Sequence, residues 1–263
     1  MSYKLIGMDF DGTLLTSDKK VTEKTKNILL KYKNNKYIIV GITARNFKSV
    51  KDVCDINMFN YLILNNGSYI YDVENKKGTD ISNIDKNTAI EITDKFKNIA
   101  EQIDYCTLNE YYINKNKIIK SRDSLKQVNS IKKIEEPIAR VNIFLRNNDE
   151  IDKYREDIAN SFEKLDAFIM VDTDNNSNKK WLALIHKGTN KYTTLEKLCE
   201  KINIDVNEVI FFGDSTNDLL TINRVGLGVA MGNALDIVKE KAKEVTLSND
   251  EDGIAVFLEN LKI

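Results

Sequence analysis

Leu5-Ile6-Gly7-Met8-Asp9-Phe10-Asp11-Gly12-Thr13 sets a short apolar run directly against two carboxylates. The run reads as a buried strand, so Asp9 and Asp11 stand where that strand ends. Carboxylates at i and i+2 of an extended segment project to the same side. Two like charges so close raise one proton affinity unless a positive group neutralises them. Mg²⁺ is the natural candidate, being hard, oxygen-seeking and commonly held by one or two carboxylates plus substrate phosphate. Asp11-Gly12 is also a hairpin-turn signal, which would make the pair incidental. A second acidic cluster weighs against that alternative: Gly213-Asp214-Ser215-Thr216-Asn217-Asp218 again follows an apolar run, Val209-Ile210-Phe211-Phe212. Together the two clusters point to a metal-assisted phosphoryl-transfer site.

Working outward, further short apolar runs at Tyr37–Ile42, Tyr61–Leu64 and Leu227–Met231 read as buried strands bounded by polar or Gly-containing turns. Helical stripes fall between them, at Thr25, Ile28, Leu29 and Tyr32 and at Leu195, Leu198, Cys199 and Ile202. Alternating strand and helix predict an α/β, doubly wound parallel sheet, in which ligands bind beyond the carboxyl ends of the strands. Asp9, Thr43, Asn66 and Asp214 all fall at or just past such ends, so they should converge on one crevice.

From about Ile81 to Lys187 the rhythm changes. Ile92, Phe96, Ile99 and Ile103 follow a helical stripe, as do Ile151, Tyr154, Ile158 and Phe162 less regularly. Ala139-Val141-Ile143-Leu145, Ala167-Ile169-Val171 and Trp181-Ala183-Ile185 alternate as half-exposed sheet does. These signals predict a second α/β domain inserted into the first, with polar Asp172 to Lys180 as a loop between two of its strands.

Composition narrows the function classes. With 39 Lys+Arg against 40 Asp+Glu, the formal net charge is -1. No overall basic field exists to attract nucleic acid or an anionic membrane, and any anion site must be local. The three cysteines, Cys54, Cys106 and Cys199, lack metal-ligand spacing and do not form an even disulfide set, as expected of thiols in a reducing compartment. Asp9 interrupts the early apolar run, and no stretch approaches the roughly 20 apolar residues of a membrane span, so a soluble, cytoplasmic protein is expected. The single histidine, His186, excludes histidine-based triads and multi-histidine metal sites. Gly226-Leu227-Gly228 lacks the third glycine of a dinucleotide fingerprint, because position 231 is Met231, and lies on a strand.

Several segments together resemble the haloacid dehalogenase superfamily of phosphatases, and within it the Cof-like branch with a large α/β cap (type IIB). They are DFDGT at Asp9 to Thr13, Ile42-Thr43-Ala44-Arg45, Asn66-Gly67, Gly188-Thr189-Asn190-Lys191, GDSTND at Gly213 to Asp218, and Val229-Ala230-Met231-Gly232-Asn233-Ala234. The resemblance covers the whole length. It implies a Rossmann-like catalytic core over residues 1–81 and 188–263, with a mobile α/β cap over 82–187.

The resemblance also implies roles. Asp9 would be the nucleophile and Asp11 the general acid and base. Asp214 would complete a Mg²⁺ site with Asp9 and the backbone carbonyl of Asp11, and Asp218 would be either a further ligand or a group orienting the site. Thr43 and Lys191 would contact the transferring phosphoryl group, and Lys191 would also neutralise Asp9. Gly12, Ala44, Asn66 and Asn217 complete the implied phosphate-binding set. The residues leave alternatives open: a strand-end hydroxyl capping backbone at Thr43, turn asparagines at Asn66 and Asn217, and a solvated helix-face lysine at Lys191. Lys191 would stand in the first turn of a helix predicted over 189–203, where a cation opposes the macrodipole by about 0.3–1 kcal/mol, which suggests an anionic partner. The family's second motif usually has Gly where this chain has Ala44, which leaves Arg45 less defined than Thr43. Asn233 is expected to shape the loop near the acidic cluster.

The expected function is Mg²⁺-dependent hydrolysis of small-molecule phosphate monoesters, sugar phosphates or phosphorylated cofactors, through an aspartyl-phosphate. A phosphomutase shares that intermediate, and a phosphoester-binding sensor would share the site without turnover. Leaving-group selection would fall to the cap, with Tyr105, Tyr111, Tyr112, Phe168, Trp181 and His186 as candidates.

Overall fold

The structure, a computed structural model, describes residues 3–114, 125–171 and 179–261. The chain forms two compact units, Met1–Ile81 with Asn190–Ile263, and Ser82–Thr189. Gly188 and Thr189 fall in the second unit, two residues past the expected junction. Gly188 N donates to Asp166 Oδ2 at 2.8 Å, and the hydroxyls of Thr189 and Ser82 lie 2.6 Å apart.

The first unit is built on a sheet in the spatial order Glu244–Val245, Leu227–Ala230, Val209–Gly213, Leu5–Met8, Ile38–Ile42, Tyr61–Leu64, Tyr69–Asp72, Lys77–Asp80. The first six strands are parallel and the last two antiparallel. Leu5–Met8 lies at the centre, with Leu5 opposite Val209 on one side and Ile38 on the other. Its side chains are buried on both faces, which is why the run is continuously apolar. The expected stripe of Thr25, Ile28, Leu29 and Tyr32 is buried along helix Glu23–Asn34, and Tyr32 OH donates to Leu258 O at 2.7 Å, tying in helix Gly253–Asn260. Because Leu5–Met8, Ile38–Ile42 and Val209–Gly213 run parallel, Asp9, Thr43 and Asp214 leave the sheet at the same edge. The α/β fold is the one the sequence predicts.

The second unit has its own sheet, in the order Leu165–Val171, Lys180–His186, Arg140–Leu145, Ala100–Cys106, Tyr111–Ile113, Leu125–Gln127. Helices Lys86–Phe96 and Ile151–Ser161 supply Ile92, Phe96, Ile151 and Ile158 to a buried cluster with Ile103, Val141, Ile143, Leu182 and Leu184. Two expectations need correction. The stripe through Ile99 and Ile103 stops being helical at Phe96; Ile103 belongs to a strand, opposite Ile143. The residues at 96, 99 and 103 suit a helix face by spacing alone, but the period-two run Ile103, Tyr105 pairs with Val141 and Ile143 and wins the segment. The strands Lys180–His186 and Arg140–Leu145 are not half-exposed, since Trp181 through Ile185, and every residue of Arg140–Leu145 but Phe144, are buried. Leu182 and Leu184 face the helices, and the alternate residues are buried as well. Of the expected loop at Asp172 to Lys180, residues 172–178 lie outside the described residues. No helix among the described residues is long and apolar enough to cross a membrane.

Candidate active site

The edge where the parallel strands end gathers the acidic clusters. Asp9 directly follows Met8 and continues the ladder, its N–H donating to Phe212 O at 3.0 Å. Lys191 is the first residue of helix Lys191–Lys201, started by Asn190, whose side chain accepts from Thr193 N at 2.9 Å. Thr194 Oγ1 donates to Gly67 O at 2.7 Å and seats this helix against the turn holding Asn66. The lysine is buried rather than solvated, at 1% exposure, and its ammonium donates to Asp9 Oδ1 and to Asp218 Oδ1, each at 2.7 Å.

Asp218 is fully buried. Besides the ammonium, its carboxylate accepts from Asp214 N at 3.2 Å, Ser215 N at 3.1 Å and Ser215 Oγ at 3.3 Å. Asn217 Oδ1 faces the same ammonium at 3.4 Å and accepts from Ser215 Oγ at 2.5 Å. Asp214 accepts a 2.9 Å hydrogen bond from Thr13 Oγ1.

Charge at this edge is in surplus. Burial is the largest influence on Asp9 and lifts its carboxyl to about 7 despite the lowering pull of Lys191, with Asp218 and Asp214 adding to the rise. Asp214 is lifted to about 6, chiefly by burial, against the Thr13 hydrogen bond. For Lys191, burial works against the charge, but Asp218 and Asp9 outweigh it and hold the ammonium above the ordinary lysine range. Asp9, Asp214 and Asp218 each present a carboxylate oxygen within 4.8 Å of the others. An all-oxygen donor set, with two carboxyls whose proton affinity is raised, suits a hard divalent cation.

Asp11 stands apart from these three. Arg45 grips its carboxylate with both prongs, Nε to Oδ2 and Nη2 to Oδ1 at 2.7 Å each, and Lys19 Nζ reaches Oδ1 at 3.0 Å. Burial alone would raise the Asp11 carboxyl; the Arg45 and Lys19 contacts overcome it and hold the group below the usual aspartate range. Arg45, which the second motif left less defined, is therefore part of the site. The backbone between Thr43 and Arg45 turns tightly: Arg45 N donates to Thr43 Oγ1 at 3.1 Å, the capping geometry foreseen as an alternative, while the hydroxyl proton of Thr43 meets no acceptor among the described residues. Ala44 is the middle residue of this turn. Asn66 has a left-handed backbone (φ 56°), its N–H donates to Thr43 O at 2.9 Å, and its Oδ1 is buried without a partner among the described residues.

Two contributors, Thr13 and Asn249, had no signal of their own in the sequence, while Asn233 shapes the loop near the acidic cluster as expected. Thr13 looked like the end of a motif yet fixes Asp214. Asn233 Nδ2 donates to Gly12 O at 2.8 Å, and Asn249 N donates to Asn233 Oδ1 at 3.0 Å while Asn249 Nδ2 donates to Leu15 O at 2.8 Å. These asparagines tie the loop after Asp11 to segments more than two hundred residues away, which no local pattern reveals. Gly12 (φ +81°) passes so close to Asp214 that a Cβ there would lie 2.4 Å from Asp214 Oδ2. Of the aromatic candidates, Tyr105 is a core residue bonded to Thr93, Tyr112 packs on the buried cluster, Tyr111 is buried, Phe168 is exposed, and Trp181 stacks on Phe144 at 5.4 Å. His186 Nδ1 lies 3.1 Å from Lys187 O.

Comparison with known proteins places this constellation. The family model for haloacid dehalogenase-like hydrolases matches residues 6–258. Two Bacillus subtilis proteins, the 5-amino-6-(5-phospho-D-ribitylamino)uracil phosphatases YcsE and YitU, are 28% and 27% identical to the chain. The alignments cover 96% and 97% of this chain and 93% and 96% of those proteins. The crystal structure of a haloacid dehalogenase-like hydrolase from Bacteroides thetaiotaomicron superposes with a TM-score of 0.82 at 25% identity, covering 98% of this chain and 99% of that one. With the family model spanning nearly the whole sequence, and both acidic clusters, Thr43 and Lys191 within it, the chain belongs to the haloacid dehalogenase-like hydrolases.

Proposed function

We propose that this protein is a Mg²⁺-dependent phosphatase that hydrolyses small-molecule phosphate monoesters through a phosphorylated Asp9. The observation that carries the reading is the buried Lys191 ammonium, 2.7 Å from Asp9 Oδ1 and beside Asp214 and Asp218 at the ends of parallel strands. A buried cation shared by carboxylates is an expensive arrangement unless the site handles a further charged group.

Phosphate monoesters hydrolyse so slowly that splitting the reaction in two is a large gain. In the first step an Asp9 oxygen attacks phosphorus, the bond from phosphorus to the ester oxygen breaks, and Asp11 gives that oxygen a proton. In the second, water attacks phosphorus, Asp11 recovers a proton from it, and the Asp9–phosphorus bond breaks to release inorganic phosphate and the carboxylate. One residue serves both steps because the second proton transfer reverses the first. Held by Arg45 and Lys19, Asp11 is in its ionised form, the one that acts as base; to act as acid it must exchange the Arg45 fork for a proton. Lys191 offsets charge on Asp9 and on the phosphoryl oxygens, and the free hydroxyl proton of Thr43 is available to one of those oxygens. Asp9, Asp214 and the Asp11 carbonyl would hold Mg²⁺, which would draw phosphoryl charge and offset the carboxylates. Asp218, with both oxygens engaged by the chain's own donors, orients Lys191 and the Asp214 loop rather than taking the metal itself.

The Bacillus subtilis relatives are named for a phosphorylated ribityl compound, and sugar phosphates or phosphorylated cofactors and their precursors are the class we extend to this chain. Phosphate release from a panel of such esters, with and without Mg²⁺, tests the reading. Asp9→Asn should abolish release, and chemical trapping of the phosphorylated enzyme should label Asp9. A label on any other residue would contradict the mechanism.

A further inference from the structure

The loop that follows Asp11 is fixed by contacts from both ends of the chain. Thr16 N donates to Lys20 O at 2.9 Å and Lys19 N to Thr16 O at 2.8 Å, closing a tight turn. The Thr16 hydroxyl donates to Lys20 O at 3.2 Å and accepts from Lys20 N at 3.3 Å. The same turn is fastened to the far end of the sequence, where Ser17 N and Ser17 Oγ donate to the two oxygens of Asp250 at 2.8 and 2.7 Å.

Lys19 is the residue this turn presents. Its backbone is left-handed (φ 60°), a conformation that strains a residue with a Cβ and suits glycine. Its ammonium reaches Asp11 Oδ1 at 3.0 Å. That contact does not offset the backbone strain, because the two side chains are 56% and 43% exposed and an exposed ion pair is worth little. Strain of this kind, imposed by surrounding contacts, gathers at functional sites.

The contact divides the two oxygens of Asp11. Oδ1 meets both Lys19 Nζ and Arg45 Nη2, whereas Oδ2 meets Arg45 Nε. When Arg45 gives up its fork, Lys19 still holds Oδ1, and Oδ2 is the oxygen left to carry a proton.

We propose that Lys19 is a positioning residue for Asp11: fixed by its own turn and by the Ser17–Asp250 contact, it holds Oδ1 so that Oδ2 transfers the proton. The role rests on the phosphatase reading above, in which the bond from Asp9 to phosphorus forms, the bond from phosphorus to the ester oxygen breaks, and that oxygen takes the Asp11 proton. Every group in it belongs to the first unit.

A leaving group that is stable as an anion departs without a proton, and one that is not depends on the acid. The test is therefore kcat/KM for phenyl phosphate relative to 4-nitrophenyl phosphate with Mg²⁺, two esters of similar shape whose departing oxygens differ in that need. Lys19→Gly should lower this ratio about 10-fold, as expected when an acid is held out of line. Glycine takes up the left-handed backbone without strain, so the variant keeps the turn. Lys19→Arg should recover part of the ratio, and Asp250→Ala, which unfastens the turn, should lower it less than Lys19→Gly does. A second measurement serves any ester the protein hydrolyses: added to Asp11→Asn, Lys19→Gly should slow the enzyme no further, because a residue acting through Asp11 has nothing left to position. Equal losses on the two aryl esters, no loss on either, or a Lys19→Gly effect of the same size with and without the Asp11 carboxylate overturns the role and leaves the phosphatase reading standing. No phosphate release from any ester, aryl or sugar, with Mg²⁺ overturns both.

Discussion

Lys191 Nζ lies 2.7 Å from Asp218 Oδ1, and the same ammonium reaches Asp9 Oδ1 at 2.7 Å, so one buried cation holds together the two acidic clusters from opposite ends of the chain. Removing it leaves buried carboxylates facing one another. Lys191→Met should therefore cost roughly 3–5 kcal/mol of stability, the usual penalty for orphaning a buried partner. Turnover should fall on the order of 10²–10³-fold, as when one transition-state donor is removed. Urea unfolding and steady-state kinetics on the same preparations check both. An unchanged unfolding midpoint would mean that the carboxylates do not depend on the ammonium.

The ends of the parallel strands were legible because buried strands leave continuous apolar runs and the carboxylates follow them at once, as at Met8-Asp9 and Gly213-Asp214. The partners of those carboxylates were not. A lysine in the first turn of a helix looks the same whether it is solvated or buried, and only the packing of Asp9 and Asp218 around Lys191 decides. Arg45 acts through a contact at the site that spacing does not encode, while Thr13 and Asn249 work across more than two hundred residues. At Ile103 the limit was periodicity itself, because the same residues fit a helix stripe and a strand until Val141 and Ile143 supply the pairing.

The metal-free protein should lose stability as pH rises through neutrality. Asp9 goes from an ordinary value of 3.8 to about 7, and Asp214 from 3.8 to about 6, on folding. Between those limits the folded state holds more protons than the unfolded one, so the derivative of unfolding free energy with pH is negative. Their relative contribution is fully present below about 3.8 and is lost by about 7. Carboxyls held low, such as Asp11 and Asp85, have the opposite sign but act only below their unfolded values. Thermal unfolding of chelated protein at pH 5.5 and 7.5 should show the lower Tm at 7.5. Mg²⁺ should raise Tm more at 7.5, where the carboxylates are ionised. A Mg²⁺ effect independent of pH would separate these two carboxyls from the metal.

Gly12→Ala should damage the metal site more than the fold. The backbone cost of a side chain at φ +81° is about 1–2 kcal/mol. The added Cβ would in addition press on Asp214, 2.4 Å from Oδ2, and displace it from Asp9. The Mg²⁺ concentration for half-maximal activity should rise about 10–100-fold, the range seen when groups supporting a metal site are disturbed. Gly188→Ala is the matched control: its φ of +74° carries a similar backbone cost, but no atom lies within 4 Å of the new Cβ. Equal shifts in Mg²⁺ dependence for the two variants would show that Asp214 is not the group affected.

Metal binding and substrate choice should be separable by removing the insertion. Ser82 Oγ and Thr189 Oγ1 lie 2.6 Å apart, so the two ends of the inserted unit nearly meet. A short Gly/Ser linker replacing residues 83–188 therefore closes a small gap, and loop closure over a few residues costs little. Asp9, Asp11, Lys191, Asp214 and Asp218 all lie outside the deleted segment. The truncated chain should keep Mg²⁺ binding through Asp9 and Asp214, measured by calorimetry against its Asp9→Asn variant. It should lose discrimination among phosphate esters, the outcome expected if the inserted segment selects the leaving group. If the shortened protein, shown to be folded by cooperative urea unfolding, retained the parent's ranking of substrates, selection would have to reside in the first unit's own loops, with Arg45 and Asn66 the residues to test next.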